Sequence, residues 1–178
     1  TETDQRAAEL AIINGVQQGL ASELDMQAMY DLVGDKIQDI FDAQVVDIGI
    51  YDRDTGLIHF PYAIERGVRF PDEPMTLIGF RRHVMDSGEP LLVNRDAGRL
   101  AIEYGQPTAI QGEPSQASLF APLIVGGETT GVISIQNLDH EDAFSQSDVD
   151  LLKTLSASLS VALENARTFG QVERARQE

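Results

Sequence analysis

The run SLFAPLIVGGETTGVISIQN, residues 118–137, constrains the fold more than any other part of the chain. Two apolar segments, 118–125 and 130–138, meet across Gly126 and Gly127. Paired glycines between such segments supply the positive φ angles that a tight hairpin requires. A sheet built on this hairpin must bury one face. The closing stretch LLKTLSASLSVALENARTF can cover it, because Leu152, Leu155, Leu159, Ala162, Ala166 and Phe169 recur at helical spacings of three and four.

A second hairpin lies upstream. Val46, Ile48 and Ile50 alternate with Val45, Asp47, Gly49 and Tyr51, and Ile58, Phe60, Tyr62 and Ile64 follow the turn DRDTG as a partner strand. Two helices precede it. The first runs to about residue 21 with Leu10, Ile13, Val16 and Leu20 on its apolar stripe. The second is N-capped by Asp25, stapled by Leu24 and Met29, and turns Met29, Val33, Ile37, Ile40 and Phe41 inward. Between the hairpins the sequence predicts a short helix over 77–87 stopped by Gly88 and a brief strand over 91–93. A long loop over 94–115 follows, with one helical turn near 100–104. This order predicts an α+β fold, a central antiparallel sheet with the N- and C-terminal helices packed on one face.

The 178 residues suit one domain. Residues 1–10 and 167–178 carry charged, helix-forming sequences, TDQRAAEL and QVERARQE, and are expected to be helical linkers flanking a domain of residues 11–166. The chain begins with Thr1 rather than Met, as a segment of a longer protein would.

Thirteen Lys and Arg against 29 Asp and Glu leave a net charge of −16, which repels nucleic acid and anionic membranes. No cysteine is present, so disulfides, thiolate metal sites, thiol catalysis and thioether-linked chromophores are all excluded. With no run of 18 apolar residues, membrane insertion is not expected and a cytoplasmic setting is.

Chemistry-bearing residue types concentrate in NLDHEDAFSQSDVDLL, residues 137–152. Ser145 and Asp148 have capping-box spacing, with Phe144 and Val149 placed as the staple, so this stretch reads first as a helix start. Asp139, His140, Glu141 and Asp142 lack the spacing of a calcium loop or a helical zinc pair. Asp54-Thr55-Gly56 occurs once, whereas an aspartic-protease dyad needs two such carboxylates. His59, His83 and His140 have no strained Ser turn to serve. Arg66, Arg69, Arg81 and Arg82 form a local basic set, read as surface charge paired with Glu65, Asp72 or Glu73, or as a set that neutralises an anionic ligand.

Four stretches together resemble the GAF domains, small-molecule sensor modules of signalling proteins: GFRRHVMDSGEPLLV, SLFAPLIVGGETTGVISIQN, the helix start from Phe144 to Leu152, and LLKTLSASLSVALENAR. The resemblance covers roughly residues 11–166. It implies a ligand pocket on the sheet face opposite the terminal helices, enclosed by the irregular middle segments. Strand alternation puts Asp47, Ser134 and Gln136 on that face. Alternation and the family layout together give Asp47, Phe80, His83, Ser118, Phe120, Ser134 and Gln136 as expected ligand contacts. His83 reads first as a partly exposed structural side chain, with a haem-ligand or pH-sensitive contact as the alternative.

Some members bind cyclic nucleotides through Asn-Lys, a spacer, Phe, three residues and Asp-Glu. Asn137, Phe144 and Asp148 match that motif, but Leu138 replaces Lys and Val149 replaces Glu, so the incomplete motif argues against a cyclic nucleotide. Members that reduce methionine sulfoxide or attach a bilin use cysteine, which this chain lacks. The cofactor is therefore left unassigned. The expected function is a non-catalytic, small-molecule-sensing regulatory domain of a larger signal-transduction protein such as a histidine kinase or nucleotide cyclase. The alternative is a ligand-free dimerisation and relay module. Expected partners are an unidentified small molecule, a second copy through the terminal helices, and neighbouring output domains; nucleic acid is not among them.

Overall fold

A computed structural model describes residues 1–23, 25–106 and 114–177, with side chains as far as Thr168. The elements run α1 (Glu2–Ala21), α2 (Met26–Ile40), β1 (Val45–Asp52), β2 (Leu57–Glu65), β3 (Val68–Arg69), β4 (Met75–Thr76), α3 (Gly79–Ser87), β5 (Leu91–Val93), α4 (Ala97–Glu103), β6 (Ala117–Val125), β7 (Glu128–Asn137) and α5 (Gln146–Gln177). Within the described residues these make a seven-stranded sheet of order β3-β2-β1-β7-β6-β5, with β4 also pairing β2. All its pairings are antiparallel. Among the described residues no helix is long and apolar enough to cross a membrane.

The expected turn chemistry holds at β6–β7, where Gly126 and Gly127 have φ of 59° and 81°, values that side chains disfavour and a two-residue connection needs. Helix starts follow their local signals as well. Asp25 caps α2 by accepting from the Gln27 amide at 3.2 Å, while the staple residue Leu24 lies outside the described residues. At α5 both arms of the capping box close, from the Ser145 amide to Asp148 Oδ2 at 2.9 Å and from the Asp148 amide to Ser145 Oγ at 3.2 Å. Phe144 and Val149 join the same hydrophobic cluster, as a staple requires.

The two sheet faces bury two different cores. On one, Val46, Ile48, Leu119, Leu123, Ile133 and Ile135 meet α1, α2 and the stripe Leu152, Leu155, Leu159 and Ala162 of α5. Each such leucine removed from water contributes about 1.5–3 kcal/mol. On the other, Phe120 and Val132 meet Phe80 and Val84 of α3 and Val93 of β5. The Phe169 side chain lies outside the described residues.

Three expectations change. Leu10, assigned to the stripe of α1, is 59% exposed, because α1 reaches the core only from its middle onward, where Ile13 packs and Val16 and Leu20 are buried. The alternation read through β2 breaks: Ile48 pairs with Tyr62 but Ile50 pairs with His59, so β2 takes three steps where β1 takes two. The extra residue turns Tyr62 and Ile64 to the helix layer and Ile58 to the other face, where it approaches Gly49. Pro61 sits in this irregularity, a place that tolerates a missing N–H. Finally, α4 fills Ala97–Glu103 of the expected loop, β3 and β4 add two-residue strands to β2, and the loop's residues 107–113 lie outside the described residues.

Candidate functional site

Sheet register assembles the polar side chains opposite the helix layer. Asp47 of β1 stands beside Ser134 of β7, and Ser134 beside Phe120 of β6. One pair along, Gln136 stands beside Ser118. Asp47, Ser118 and Ser134 are buried polar residues. Gln136 donates from Nε2 to Ser134 Oγ at 3.0 Å, and the Ser118 and Ser115 hydroxyls lie 2.6 Å apart.

Helix α3 closes over this floor. Its left-handed Gly79 starts the helix and Gly88 at φ 68° stops it. Phe80 points inward, its ring 5.5 Å from Phe120 and 5.2 Å from Tyr104. The next residue, Arg81, reaches the sheet. Its Nη2 donates to Asp47 Oδ2 at 2.8 Å, and its guanidinium carbon lies 5.3 Å from the Phe60 ring and 5.8 Å from that of Phe120. Asp47 Oδ1 and Arg81 Nε are buried without a hydrogen-bond partner. Burial pushes the Asp47 carboxyl up, and the Arg81 charge and hydrogen bond pull against that shift.

Six of the seven expected residues are thus near one another, and His83 stands apart. It is exposed and stacks on Tyr104 at 5.1 Å between ring centroids, a surface contact. Arg81 was legible only as a member of a basic set. Sequence spacing shows neither that α3 turns it inward nor that Asp47 receives it.

The other arginines disperse, and in the ion pairs they form among the described residues they meet acids other than Glu65, Asp72 and Glu73. Arg66 pairs with Asp139 at 2.7 Å, Arg69 with Asp31 at 2.8 Å, and Arg82 with Asp86 at 3.7 Å. These partners come from distant elements or from one helical turn away, whereas Glu65, Asp72 and Glu73 are near Arg66 and Arg69 in sequence. Asp72 instead accepts the Phe60 amide at 2.6 Å.

Every group of the acidic stretch before α5 has a structural partner. Asn137 is fully buried, donates to the Asp42 carbonyl at 2.9 Å and accepts from the amides of Asp139 and His140. His140 Nε2 lies 3.1 Å from Asp42, Glu141 accepts the Asp96 amide, and Asp142 pairs with Arg95 at 2.6 Å. Asn137, Phe144 and Asp148, the three matches to the nucleotide motif, thus organise a turn, a core contact and a helix cap. Among the described residues no group of three His, Asp or Glu side chains gathers as a metal would need. Asp54-Thr55-Gly56 forms a turn, with the Asp54 amide on Asp52 Oδ1 and Gly56 at φ 74°.

An open cleft of about 460 Å³ lies elsewhere, between α3 and the β1–β2 turn, lined by Tyr51, Arg53, Thr76, Arg82, Met85 and Glu128 among others. None of the seven expected residues lines it. Its charges are exposed and loosely paired, Arg53 with Glu128 at 3.7 Å, so it lacks the converging buried polar groups of the Asp47 face.

An antiparallel sheet with a three-helix layer on one face and a polar, helix-covered floor on the other defines a class of α+β folds. Residues 23–164 match the GAF domain family, and the chain belongs to it. A comparison with curated protein sequences returned no match. Solved structures are similar throughout. The GAF domain of an Acinetobacter phosphoenolpyruvate-protein phosphotransferase is 18% identical, with 92% of this chain and 98% of that one aligned at a TM-score of 0.73. Residues 122 to 287 of a methyl-accepting chemotaxis protein are 17% identical over 86% and 98% of the two chains, with a TM-score of 0.75. The free methionine-R-sulfoxide reductase of Neisseria meningitidis, solved with its substrate, is 17% identical over 92% and 93%, with a TM-score of 0.74. At such identities the likeness is one of fold.

Proposed function

We propose that this GAF domain is a non-catalytic regulatory module that binds a small molecule between the sheet and α3 and passes the change to α1 and α5. One observation carries the reading: Asp47 is buried on the sheet face under α3 with an oxygen that has no partner, beside Ser134 and one pair from Gln136 and Ser118. Leaving a buried carboxylate oxygen unmatched costs stability unless another group completes it, and functional sites are where such costs are tolerated. The absence of cysteine supports the non-catalytic part, since thiol reduction needs a thiolate. A cytoplasmic setting within a longer signalling protein fits the same composition.

Ligand sensing requires different affinities for two states, and the coupling can be no larger than that difference. Asp47 and Arg81 belong to the sheet and to α3, so a ligand that engages both reports on their separation. A thermal-shift screen of metabolites against the wild type, Ser134→Ala and Gln136→Ala tests the site. Hits that weaken in both variants support it, and hits that bind all three proteins equally remove these residues from it.

A second reading has its own observation. Leu10 and Val161 are 59% and 61% exposed on the terminal helices, and α5 continues to Gln177. Pairing with a second copy through these helices would cover them and relay shifts between neighbouring domains. Sedimentation at rising concentration is expected to give a dimer that Leu10→Glu and Val161→Glu weaken; a monomer throughout would remove this reading.

A further inference from the structure

We infer that the molecule bound at Asp47 is net neutral and presents an amide edge, an N–H beside a C=O, as a planar lactam does. This rests on the sensor reading above and specifies its ligand.

A carboxylate and a guanidinium in full register make two parallel hydrogen bonds. At this site one arm is closed, from Arg81 Nη2 to Asp47 Oδ2 at 2.8 Å. The remaining arm of a side-on fork consists of Nε and Oδ1, and these are the two atoms left buried and unpartnered. One is a donor only and the other an acceptor only. An amide edge complements both: its N–H donates to Asp47 Oδ1, and its carbonyl accepts from Arg81 Nε.

Charge selects against the other classes. Asp47 and Arg81 already cancel, and their side chains are 8% and 16% exposed, so little solvent screens a third charge. An anion placed there would face Asp47, and a cation would face Arg81. A neutral donor–acceptor pair leaves the balance intact. The Phe60 and Phe120 rings beside the guanidinium supply flat apolar walls, which suit a planar ring better than a flexible chain.

The test titrates the wild-type protein calorimetrically with uracil and hypoxanthine, with 1,3-dimethyluracil, and with inorganic phosphate and ethylguanidinium. Native mass spectrometry of the same preparation is run alongside. The expected result is binding of a lactam that falls about tenfold or more on N-methylation, a loss equivalent to one good hydrogen bond. Arg81→Lys, which keeps the charge and loses Nε, weakens the same lactam comparably. Equal binding of the methylated probe, or binding of phosphate or ethylguanidinium in place of the lactams, overturns the inference while leaving a binding site. If no probe binds, the exact mass of any released molecule decides: a neutral amide supports the inference and a charged or amide-free compound overturns it. No probe binding and no retained mass defeats the sensor reading, and the inference with it.

Discussion

Gly34 of α2 lies so close to Tyr62 of β2 that a Cβ at residue 34 would stand 2.5 Å from the ring. Tyr62 is fully buried, its hydroxyl donates to Asp35 Oδ1 at 2.7 Å, and the Arg69 guanidinium lies 4.3 Å from its centroid. The ring is held at three points, so it has little room to retreat. Alanine would gain about 1 kcal/mol in helix propensity over glycine. The overlap outweighs that gain, and Gly34→Ala is expected to destabilise by about 1–3 kcal/mol in urea unfolding. Adding Tyr62→Leu should remove most of the clash, so the two losses should be far from additive.

The capping box at α5 makes a second prediction. Ser145→Ala leaves the Asp148 amide of the first turn unmatched, Asp148→Ala leaves the amide of the capping residue Ser145 unmatched, and each should cost about 1 kcal/mol. Each change breaks only its own side-chain bond, and the Phe144 and Val149 contacts remain. The double variant should therefore retain a cooperative transition at a lower urea midpoint.

Local chemistry explains why this helix start and the Gly126-Gly127 turn were readable from sequence, since both depend on neighbours within a few residues. The same holds for Asp25. By contrast, the extra residue at Phe60-Pro61 is a feature of how two strands register, and no periodicity in β2 alone reveals it. Leu10 looked like core because spacing records a face and not whether a neighbour covers it. In the site, alternation correctly placed Asp47, Ser134 and Gln136 on one face. It was silent on Arg81, whose role depends on the tilt of α3 over the sheet and on a partner 34 residues away.

The Asp47–Arg81 pair should respond asymmetrically to substitution. Arg81→Met keeps an apolar stem and strands a buried carboxylate, at a cost of about 3–5 kcal/mol. Asp47→Asn combined with Arg81→Met removes both charges and should recover much of that loss. A double-mutant cycle from urea midpoints checks the difference.

Stability should depend on pH with opposite signs at two places before α5. Hydrogen bonds from Arg66 and Arg95 hold Asp139 and Asp142 below the usual carboxylate range. Their contribution is complete above the unfolded value of about 4 and is lost as pH falls through the lowered native values. For His140 the Glu141 carbonyl, then Asp42, raises the imidazole. Its contribution is complete below the unfolded value of about 6.5 and is lost as pH rises through the raised native value. All three groups are exposed, so the effects are small and fall with added salt. Urea midpoints from pH 3 to 9 should show Arg95→Met flattening the acid limb and His140→Gln flattening the neutral-to-alkaline limb.

Native mass spectrometry of the freshly purified protein, beside the same sample denatured, tests the sensor assignment most directly. The predicted result is a mass excess that disappears on denaturation and is reduced in Arg81→Lys. A bare polypeptide mass, together with no thermal stabilisation by any metabolite screened, would contradict ligand binding at Asp47 and leave the terminal-helix relay as the function to pursue.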